Sequence, residues 1–305
     1  MSYQPKTWLI TGAPSGFGKA PAEAVVAHGD NAVITARGLD RLQGIARGHE
    51  DRVLPLALDV TDAAACDRAV VETLARFGRI DVLANVAGRG VAGACEEFSL
   101  DQLRERMELN FFAAAEMTRA VPPQMRAQGA GHILTVSSVA GLVAMNAAGP
   151  YCAAKFAIED WTESLAIEAK PLGIHATLVE SGAFRTEFAG AANMRPVHRI
   201  DARRPMVETF ESYLESSSGK HMGDPKKAAL RMLEVVASDA PPTRLMLGRD
   251  AWSIWDATIA GRLEDMNAWR ARRGYGFRRR RRRRDRALGS CATRRPSRHR
   301  LPIFA

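Results

Sequence analysis

Residues 7–18 read TWLITGAPSGFG, a short apolar run followed directly by a glycine-rich turn. A helical pattern continues from about Phe17 to Ala27. Strand, glycine-rich turn and helix in this order predict the phosphate-binding start of a doubly wound nucleotide-binding fold. The glycines permit a tight turn and let backbone N–H groups approach a pyrophosphate at the positive end of the helix dipole. The alternative is a glycine turn that holds no ligand, and Pro21 is expected to distort the start of the helix.

Apolar runs typical of buried strands alternate with helical patterns along the rest of the chain. This alternation predicts an α/β fold in which a parallel sheet is covered by helices on both faces. The predicted strands are Thr7–Ile10, Ala32–Ala36, Val53–Leu58, Ile80–Ala84, Gly131–Val136, Ile174–Val179 and Thr243–Leu247. Longer helices are predicted over 62–77, 100–120, 151–170, 225–237 and 251–272.

The end of the second predicted strand bears on the choice of nucleotide. In folds of this kind a carboxylate at that position binds a ribose 2′-hydroxyl, whereas an arginine accommodates a 2′-phosphate. The strand ends in Ala36 and Arg37, and no acidic residue follows before Asp40. The sequence therefore favours NADP(H) over NAD(H). A solvated loop arginine without a ligand is the alternative.

Tyr151 and Lys155 form a second motif, with a phenol four residues before an ammonium group. On a helix this spacing places both side chains on one face. A neighbouring cation favours the phenolate and lowers the pKa of a tyrosine from its ordinary value of about 10. The pair is therefore a candidate for proton transfer, although the same spacing occurs by chance in many helices. Asn110 lies in an apolar helical stretch and is predicted to have a specific polar partner.

Composition limits the class of protein. The chain has 305 residues, is 46% hydrophobic, and contains no apolar run of the roughly 18 residues that span a bilayer. The short polar segment before the first strand does not have the pattern of a signal peptide. Four cysteines are scattered without CxxC spacing, which suits a reducing compartment and predicts no zinc or other metal site. These features predict a cytoplasmic protein without membrane segments.

The net charge of +9 is unevenly distributed. Residues 271–305 hold fourteen Arg and one Asp, a net +13, so the remaining residues carry 9 − 13 = −4. Arg278–Arg284 is an unbroken arginine run, which is expected to repel itself and remain disordered. One interpretation is an arm that binds nucleic acid or another anionic surface. The other interpretation is an extension of biased composition without a specific function, and the lack of interleaved aromatic residues favours it.

Taken together, these motifs resemble the short-chain dehydrogenase/reductase family over about residues 5–250. Within the family the glycine turn and the Thr35-Ala36-Arg37 strand end look most like bacterial relatives of retinol and hydroxysteroid dehydrogenases. The matching positions are TGxxxGxG at Gly12, Gly16 and Gly18, the NNAG-like Asn85-Val86-Ala87-Gly88, the helix Asn110, Ser138 thirteen residues before Tyr151, YxxxK, and Thr186. Ser181 stands where the family has a proline that stiffens the loop beside the nicotinamide, so weaker cofactor binding is expected.

The resemblance implies a Rossmann-type sheet of about seven strands in the order 3-2-1-4-5-6-7, with a nicotinamide dinucleotide across the carboxyl ends of the strands. It assigns the pyrophosphate to Gly12, Ser15, Gly16, Phe17 and Gly18. It assigns the 2′-phosphate to Arg37, the adenine to Asp59 and Val60, and the ribose to Asn85, Ala87 and Gly88. Tyr151 and Lys155 would contact the nicotinamide ribose, and Gly182 and Thr186 the nicotinamide amide.

The resemblance also implies catalytic roles for four residues. Tyr151 would exchange a proton with the substrate oxygen, and Ser138 would position that oxygen by a hydrogen bond. Lys155 would bind the nicotinamide ribose and depress the pKa of Tyr151. Asn110 would hold a water molecule that connects Lys155 to bulk solvent. An oxidoreductase that interconverts an alcohol and a ketone or aldehyde follows from these roles; a catalytically weak dinucleotide-binding regulator is the alternative.

Several further expectations complete the prediction. A single domain is predicted over 1–270, with a flexible segment over 139–149 and an irregular substrate lid over 187–223. The lid and the apolar residues 139–145 predict a fairly hydrophobic small-molecule substrate. Trp252, Trp255 and Trp269 are expected to be packing residues. The resemblance implies a homodimer or homotetramer that forms through the helices over 100–120 and 152–170.

Overall fold

A computed structural model describes residues 4–189 and 193–270. Its centre is a parallel sheet of seven strands in the order β3-β2-β1-β4-β5-β6-β7, which confirms the predicted fold class and strand order. The strands are β1 Thr7–Ile10, β2 Asn31–Ala36, β3 Val53–Ala57, β4 Val82–Asn85, β5 Gly131–Val136, β6 Ile174–Ser181 and β7 Arg244–Leu247. The order reverses between β1 and β4, which is the position where such sheets bind nucleotides.

Helices connect the strands. They are α1 Gly16–His28, α2 Gln43–Ala46, α3 Ala63–Phe77, α4 Leu100–Met107, α5 Ala113–Ala120, α6 Pro122–Gln128, α7 Gly149–Ala169, α8 Arg204–Ser217, α9 Pro225–Ala237 and α10 Arg249–Arg270. Asp62 caps α3 by accepting a hydrogen bond from the Ala65 N–H. Pro21 lies inside α1 and does not end the helix.

Two hydrophobic layers cover the two faces of the sheet. Alternate residues of a strand point to opposite faces, so Trp8 and Ile10 pack in one layer and Leu9 in the other. The first layer includes Val25 of α1 and Met232 of α9, and the second includes residues of α3, α5 and α6. Burying both faces explains why the strands read as continuous apolar runs rather than alternating ones.

The predicted helix over 100–120 is interrupted. A turn of π-helix over Glu108–Phe112 separates α4 from α5, and Asn110 lies at its centre. The π turn coincides with the polar residue that the sequence places inside an apolar stretch. Such turns are uncommon and occur frequently at functional sites.

Two segments expected to lack regular structure are more ordered. The stretch 139–149 was predicted to be flexible, but Val139, Ala140 and Val143 are buried, because its apolar residues pack under α10 and against α7. The lid over 187–223 was predicted to be irregular, but it contains the fourteen-residue helix α8. Val207 of α8 is fully buried and packs with Phe210, which follows it at helical spacing, so the helix places an apolar face on the rest of the protein.

The C-terminal part of the chain also differs from expectation. Trp255 packs against a buried cluster, whereas Trp252 is 52% and Trp269 64% exposed. The described residues up to Arg262 form one compact unit, and the residues from Leu263 belong to a second. The predicted arginine-rich tail, 271–305, lies outside the described residues. No described helix is long and apolar enough to cross a membrane.

Candidate active site

A cleft of about 1250 Å³ lies along the carboxyl ends of the strands. Because all strands are parallel, the turns that follow them meet at this one edge of the sheet. Every predicted site residue lines the cleft except Asn85 and Asn110. In the part of the chain that the structure describes, no group of His, Cys, Asp and Glu side chains is arranged to hold a metal ion.

The glycine turn between β1 and α1 forms one wall of the cleft. Gly12 and Gly16 have φ angles of 68° and 53°, which favour glycine. A Cβ on Gly12 would lie 2.9 Å from Ala87 Cα, and a Cβ on Gly18 would lie 2.0 Å from the Gly12 carbonyl oxygen. The turn therefore requires glycine at these positions, and it presents the N-terminus of α1 to the cleft, which suits an anionic group.

Thr11 joins this turn to the one that follows β4. Its hydroxyl accepts hydrogen bonds from the Val86 N–H at 2.9 Å and the Ala87 N–H at 3.2 Å. Val86, which replaces a polar residue of the family motif, packs partly buried against the core. The sequence prediction did not assign Thr11 a role, although it directly precedes the first glycine of the motif.

Two arginines lie at the end of β2. Arg37 and Arg41 both line the cleft, and the sequence prediction named only Arg37. Asp59, on the neighbouring turn, accepts hydrogen bonds from the Thr61 hydroxyl at 2.7 Å and the Thr61 N–H at 3.0 Å. These hydrogen bonds, with a smaller contribution from the charge of Arg37, hold the pKa of Asp59 below its ordinary value. Asp59 is therefore anionic at neutral pH, and its Oδ1 accepts both hydrogen bonds from Thr61.

Tyr151 and Lys155 lie in the first two turns of α7. The Lys155 Nζ is 5.8 Å from the centre of the Tyr151 ring and donates a hydrogen bond of 2.8 Å to the Val136 carbonyl at the end of β5. The ammonium group is buried, and burial lowers the pKa of Lys155 to about 8, against the opposing charge of Glu159. Lys155 is therefore a cation near neutral pH that titrates close to the physiological range.

Ser138 faces Tyr151 from the end of β5. The Ser138 hydroxyl donates to the Ser181 carbonyl at 3.3 Å and accepts from the Ala140 N–H at 3.1 Å. Burial raises the pKa of Tyr151 above its ordinary value, and a hydrogen bond with Ser138 offsets part of this effect. The resemblance implied that Lys155 depresses this pKa. In the chain by itself burial dominates, so the phenol is protonated.

Asn110 acts through the backbone of the turn after β4. Its Oδ1 accepts a hydrogen bond of 2.9 Å from the Arg89 N–H, and its Nδ2 donates one of 2.9 Å to the Arg89 carbonyl. The predicted polar partner is thus the backbone of Arg89. A Cβ on Gly88 would lie 3.1 Å from Asn110 Oδ1 and 3.8 Å from Lys155 Nζ. The absence of a side chain at Gly88 therefore allows Asn110 and Lys155 to lie close to this turn.

Asn85, which was predicted to flank the ribose, does not line the cleft. Asn85 is buried below the cleft, where its Nδ2 donates to the Thr118 hydroxyl at 3.1 Å and to the Ala114 carbonyl at 3.4 Å. Its side chain therefore attaches β4 to α5. The motif indicated an important residue, but only the packing of α5 shows which way its amide points.

Much of the cleft wall outside the polar residues described above is apolar. The Phe188 ring lies 5.7 Å from the Tyr151 ring, and Phe17 packs edge to face on Phe184 at 4.8 Å. Further lining side chains come from the ordered segment before α7, from α8 and from α10. They are Val143, Met145, Phe210, Tyr213, Leu214 and Ile254. The sequence prediction missed these residues individually, because no spacing rule relates them.

Comparison with known proteins agrees with this architecture. Residues 6–196 match the family model described as short chain dehydrogenase. The chain is 36% identical over 247 residues to oxidoreductase BOA17 of Botryotinia fuckeliana, covering 81% of this chain and 90% of that protein. It is 34% identical over 250 residues to a 3-ketodihydrosphingosine reductase of Bacteroides thetaiotaomicron, covering 80% and 88%. It is also 32% identical over 257 residues to human retinol dehydrogenase 8, covering 80% and 82%.

Solved structures give the same result. A short-chain dehydrogenase from Streptomyces avermitilis is 38% identical, with a TM-score of 0.82 over 89% of this chain and 98% of that one. A short chain dehydrogenase/reductase from Burkholderia phymatum in complex with NAD is 26% identical, with a TM-score of 0.76 over 88% of this chain and 96% of that one. The chain therefore belongs to the short chain dehydrogenase family. It is an oxidoreductase that acts on CH–OH groups with a nicotinamide dinucleotide.

Proposed function

We propose that this protein interconverts a fairly hydrophobic alcohol and the corresponding ketone or aldehyde with NADP(H), and that Tyr151 is the general acid and base. The observation that carries the proposal is the meeting of Ser138, Tyr151 and Lys155 in one cleft that continues to the glycine turn. A proton donor, a group that orients the substrate oxygen and a buried cation are what carbonyl reduction requires.

The residues of the cleft fit a dinucleotide. Glycine is required at Gly12 and Gly18 because backbone atoms occupy the space of a Cβ, and this close packing exposes main chain to a pyrophosphate. Gly182 and Thr186 also line the cleft, and we assign the nicotinamide amide to them. Thr186 lies next to the glycine turn, because a Cβ on Gly16 would be 3.2 Å from Thr186 Cβ. When bound, the cofactor supplies or accepts a hydride at the carbonyl carbon.

Residues of the protein then transfer the proton to the substrate oxygen and stabilise the charges that result. Tyr151 is protonated in the chain by itself, so it is ready to donate a proton to the oxygen that develops negative charge during reduction. Ser138 donates a hydrogen bond to the same oxygen and holds it near the phenol. The nearby Lys155 cation stabilises the phenolate that results. In the direction of alcohol oxidation the same groups act in reverse order.

The preference for NADP(H) rests on the end of β2. Two guanidinium groups, Arg37 and Arg41, line the cleft there. The nearest lining carboxylate on the neighbouring turn, Asp59, is engaged by Thr61. A dianionic 2′-phosphate is favoured beside two arginines by charge-assisted hydrogen bonds. The related Burkholderia protein is in complex with NAD, so both cofactors belong in the test.

The substrate and the oligomer are also part of the proposal. Phe188, Met145 and Phe210 line the cleft near Tyr151, which favours an apolar substrate body behind the reacting oxygen. Large apolar side chains are exposed on the helices over 100–120 and 152–170, including Phe112, Phe156 and Ile167. A second copy of the chain would cover them, as expected for a homodimer or homotetramer.

The test is turnover by the full-length protein with the Tyr151→Phe variant. We expect NADPH to be consumed with aldehydes or ketones, and we expect Tyr151→Phe to lower kcat roughly 100-fold or more while cofactor affinity is kept. Tyr213→Phe is the matched control, because Tyr213 also lines the cleft but is not hydrogen-bonded to Ser138. Equal turnover by Tyr151→Phe would contradict the mechanism. Cofactor binding without turnover over a broad panel would support the regulator instead.

A further inference from the structure

The loop that follows β6 is held by the first turn of α10. The Ala183 N–H donates a hydrogen bond of 2.6 Å to Asp250 Oδ2, and the neighbouring Gly182 N–H donates one of 2.9 Å to the Leu247 carbonyl at the end of β7. Ser181, Gly182, Ala183 and Asp250 all line the cleft. A side chain 67 residues away along the chain therefore holds a backbone N–H of the cleft.

Two glycines leave space for the Asp250 carboxylate. A Cβ on Gly182 would lie 2.4 Å from both carboxylate oxygens, and a Cβ on Gly248 would lie 2.5 Å from Oδ1. Gly248 also has a φ of 108°, which other residues rarely adopt. The carboxylate is thus seated between two backbone segments, and any side chain at either glycine would displace it.

This seat lies next to Ser181, the last residue of β6, which pairs with Leu247 of β7. Proline at this position would fix φ, whereas serine does not restrict φ in this way, so contacts with the rest of the protein have to hold the backbone here. The Ser181 carbonyl also accepts the hydrogen bond from the Ser138 hydroxyl. A displacement of the loop would therefore also move the hydrogen-bond acceptor of Ser138, the residue proposed to orient the substrate.

We propose that Asp250 is a positioning residue whose carboxylate does the work of the missing proline. It holds the Ser181–Ala183 loop against the β7 edge, and it thereby sets the shape of the cofactor end of the cleft and the orientation of Ser138. The inference rests on the proposed function for its effect on the cofactor. The contact itself is independent of that function.

The first measurement is hydrogen exchange of the Ala183 amide in the full chain without cofactor. Asp250→Ala removes the acceptor, and we expect exchange to accelerate roughly tenfold. Asp250→Asn keeps an acceptor oxygen, so it should retain most of the protection. Asp256→Ala is the matched control, because it removes an exposed carboxylate from the same helix, away from the loop. Unchanged exchange in Asp250→Ala, or equal acceleration in Asp256→Ala, would overturn the proposal.

The second measurement is NADPH affinity, read from nicotinamide fluorescence, together with kcat and KM. We expect Asp250→Ala to raise the Kd roughly tenfold, because a hydrogen bond to a charged group is lost. Ser181→Pro added to Asp250→Ala should recover most of the affinity by stiffening the loop in another way. Failure of this rescue would overturn the proposed substitution for proline. If the wild-type chain binds neither NADPH nor NADH, the proposed function fails, and the exchange rates alone decide whether Asp250 holds the loop.

Discussion

Lys155 is a buried cation whose affinity for a proton differs between the folded and unfolded chain. Burial lowers its pKa from 10.5 to about 8, and the unfolded chain restores the ordinary value. Between these two values the unfolded state binds more protons than the folded state. The free energy of unfolding therefore rises with pH across this window as far as Lys155 is concerned.

The prediction compares the wild type with Lys155→Met. As the pH rises from 8 to 10.5, the free energy of unfolding of the wild type should increase by up to about 3 kcal/mol relative to that of the variant, because the buried Lys155 cation loses its proton. Urea unfolding of both proteins at pH 7 and pH 10 measures this difference. The contributions of the other titrating groups cancel when the variant is subtracted from the wild type at each pH. A difference that does not change with pH would show that Lys155 has an ordinary pKa. The variant should also be inactive.

A second prediction at this scale concerns the cofactor preference that Arg37 and Arg41 are proposed to confer. Replacing Arg37 by Ala should raise the Kd for NADPH roughly 10- to 100-fold and leave the Kd for NADH nearly unchanged, because only NADPH carries the 2′-phosphate. Arg41→Ala should act in the same direction. Arg47→Ala removes an exposed arginine that does not line the cleft and serves as control. Equal losses for both cofactors would contradict the assigned preference.

At the scale of elements, Asn110 connects the π turn to the turn after β4. Asn110→Ala leaves the Arg89 N–H without its partner and the Arg89 carbonyl with only the 3.3 Å hydrogen bond from Arg106, so it should cost about 2 kcal/mol of unfolding free energy. Denaturant unfolding measures this loss, and Asn267→Ala, at an exposed position on α10, is the control. Stability equal to that of the wild type would mean that the two hydrogen bonds contribute nothing.

The elements also show how far prediction from the sequence extends. β1 and β5 begin and end where the sequence predicted them, because a strand buried on both faces consists mostly of apolar residues. The helix α8 was missed although Val207, Phe210 and Leu214 recur at helical spacing, because the Arg, Pro and Ser residues of the segment suggested an irregular lid. The interruption between α4 and α5 was missed because the hydrogen bonds that favour it join Asn110 to a residue 21 positions earlier.

At the scale of the whole molecule, the apolar side chains that the π turn and α7 expose to solvent predict association. Trp161 is one of them and lies 6.1 Å from the Phe111 ring, beside a groove lined by Phe112. Trp161→Glu places a charge there and should shift the protein towards the monomer, as measured by light scattering during size exclusion. Val71→Glu introduces the same charge on α3, at a side chain that is 65% exposed, and should leave the assembly intact. A wild-type monomer would contradict the predicted oligomer.

The class of fold and the residue types proposed for catalysis could be read from the sequence, because strand burial, glycine turns and helical spacing are properties of neighbouring residues. The order of the strands came from the family resemblance. The packing of the helices was needed to show that Asn85 faces α5, that Arg41 joins Arg37 at the cleft, and that Asp250 contacts the loop after β6. These contacts join segments far apart along the chain, and the direction of each side chain depends on how the helices pack on the sheet.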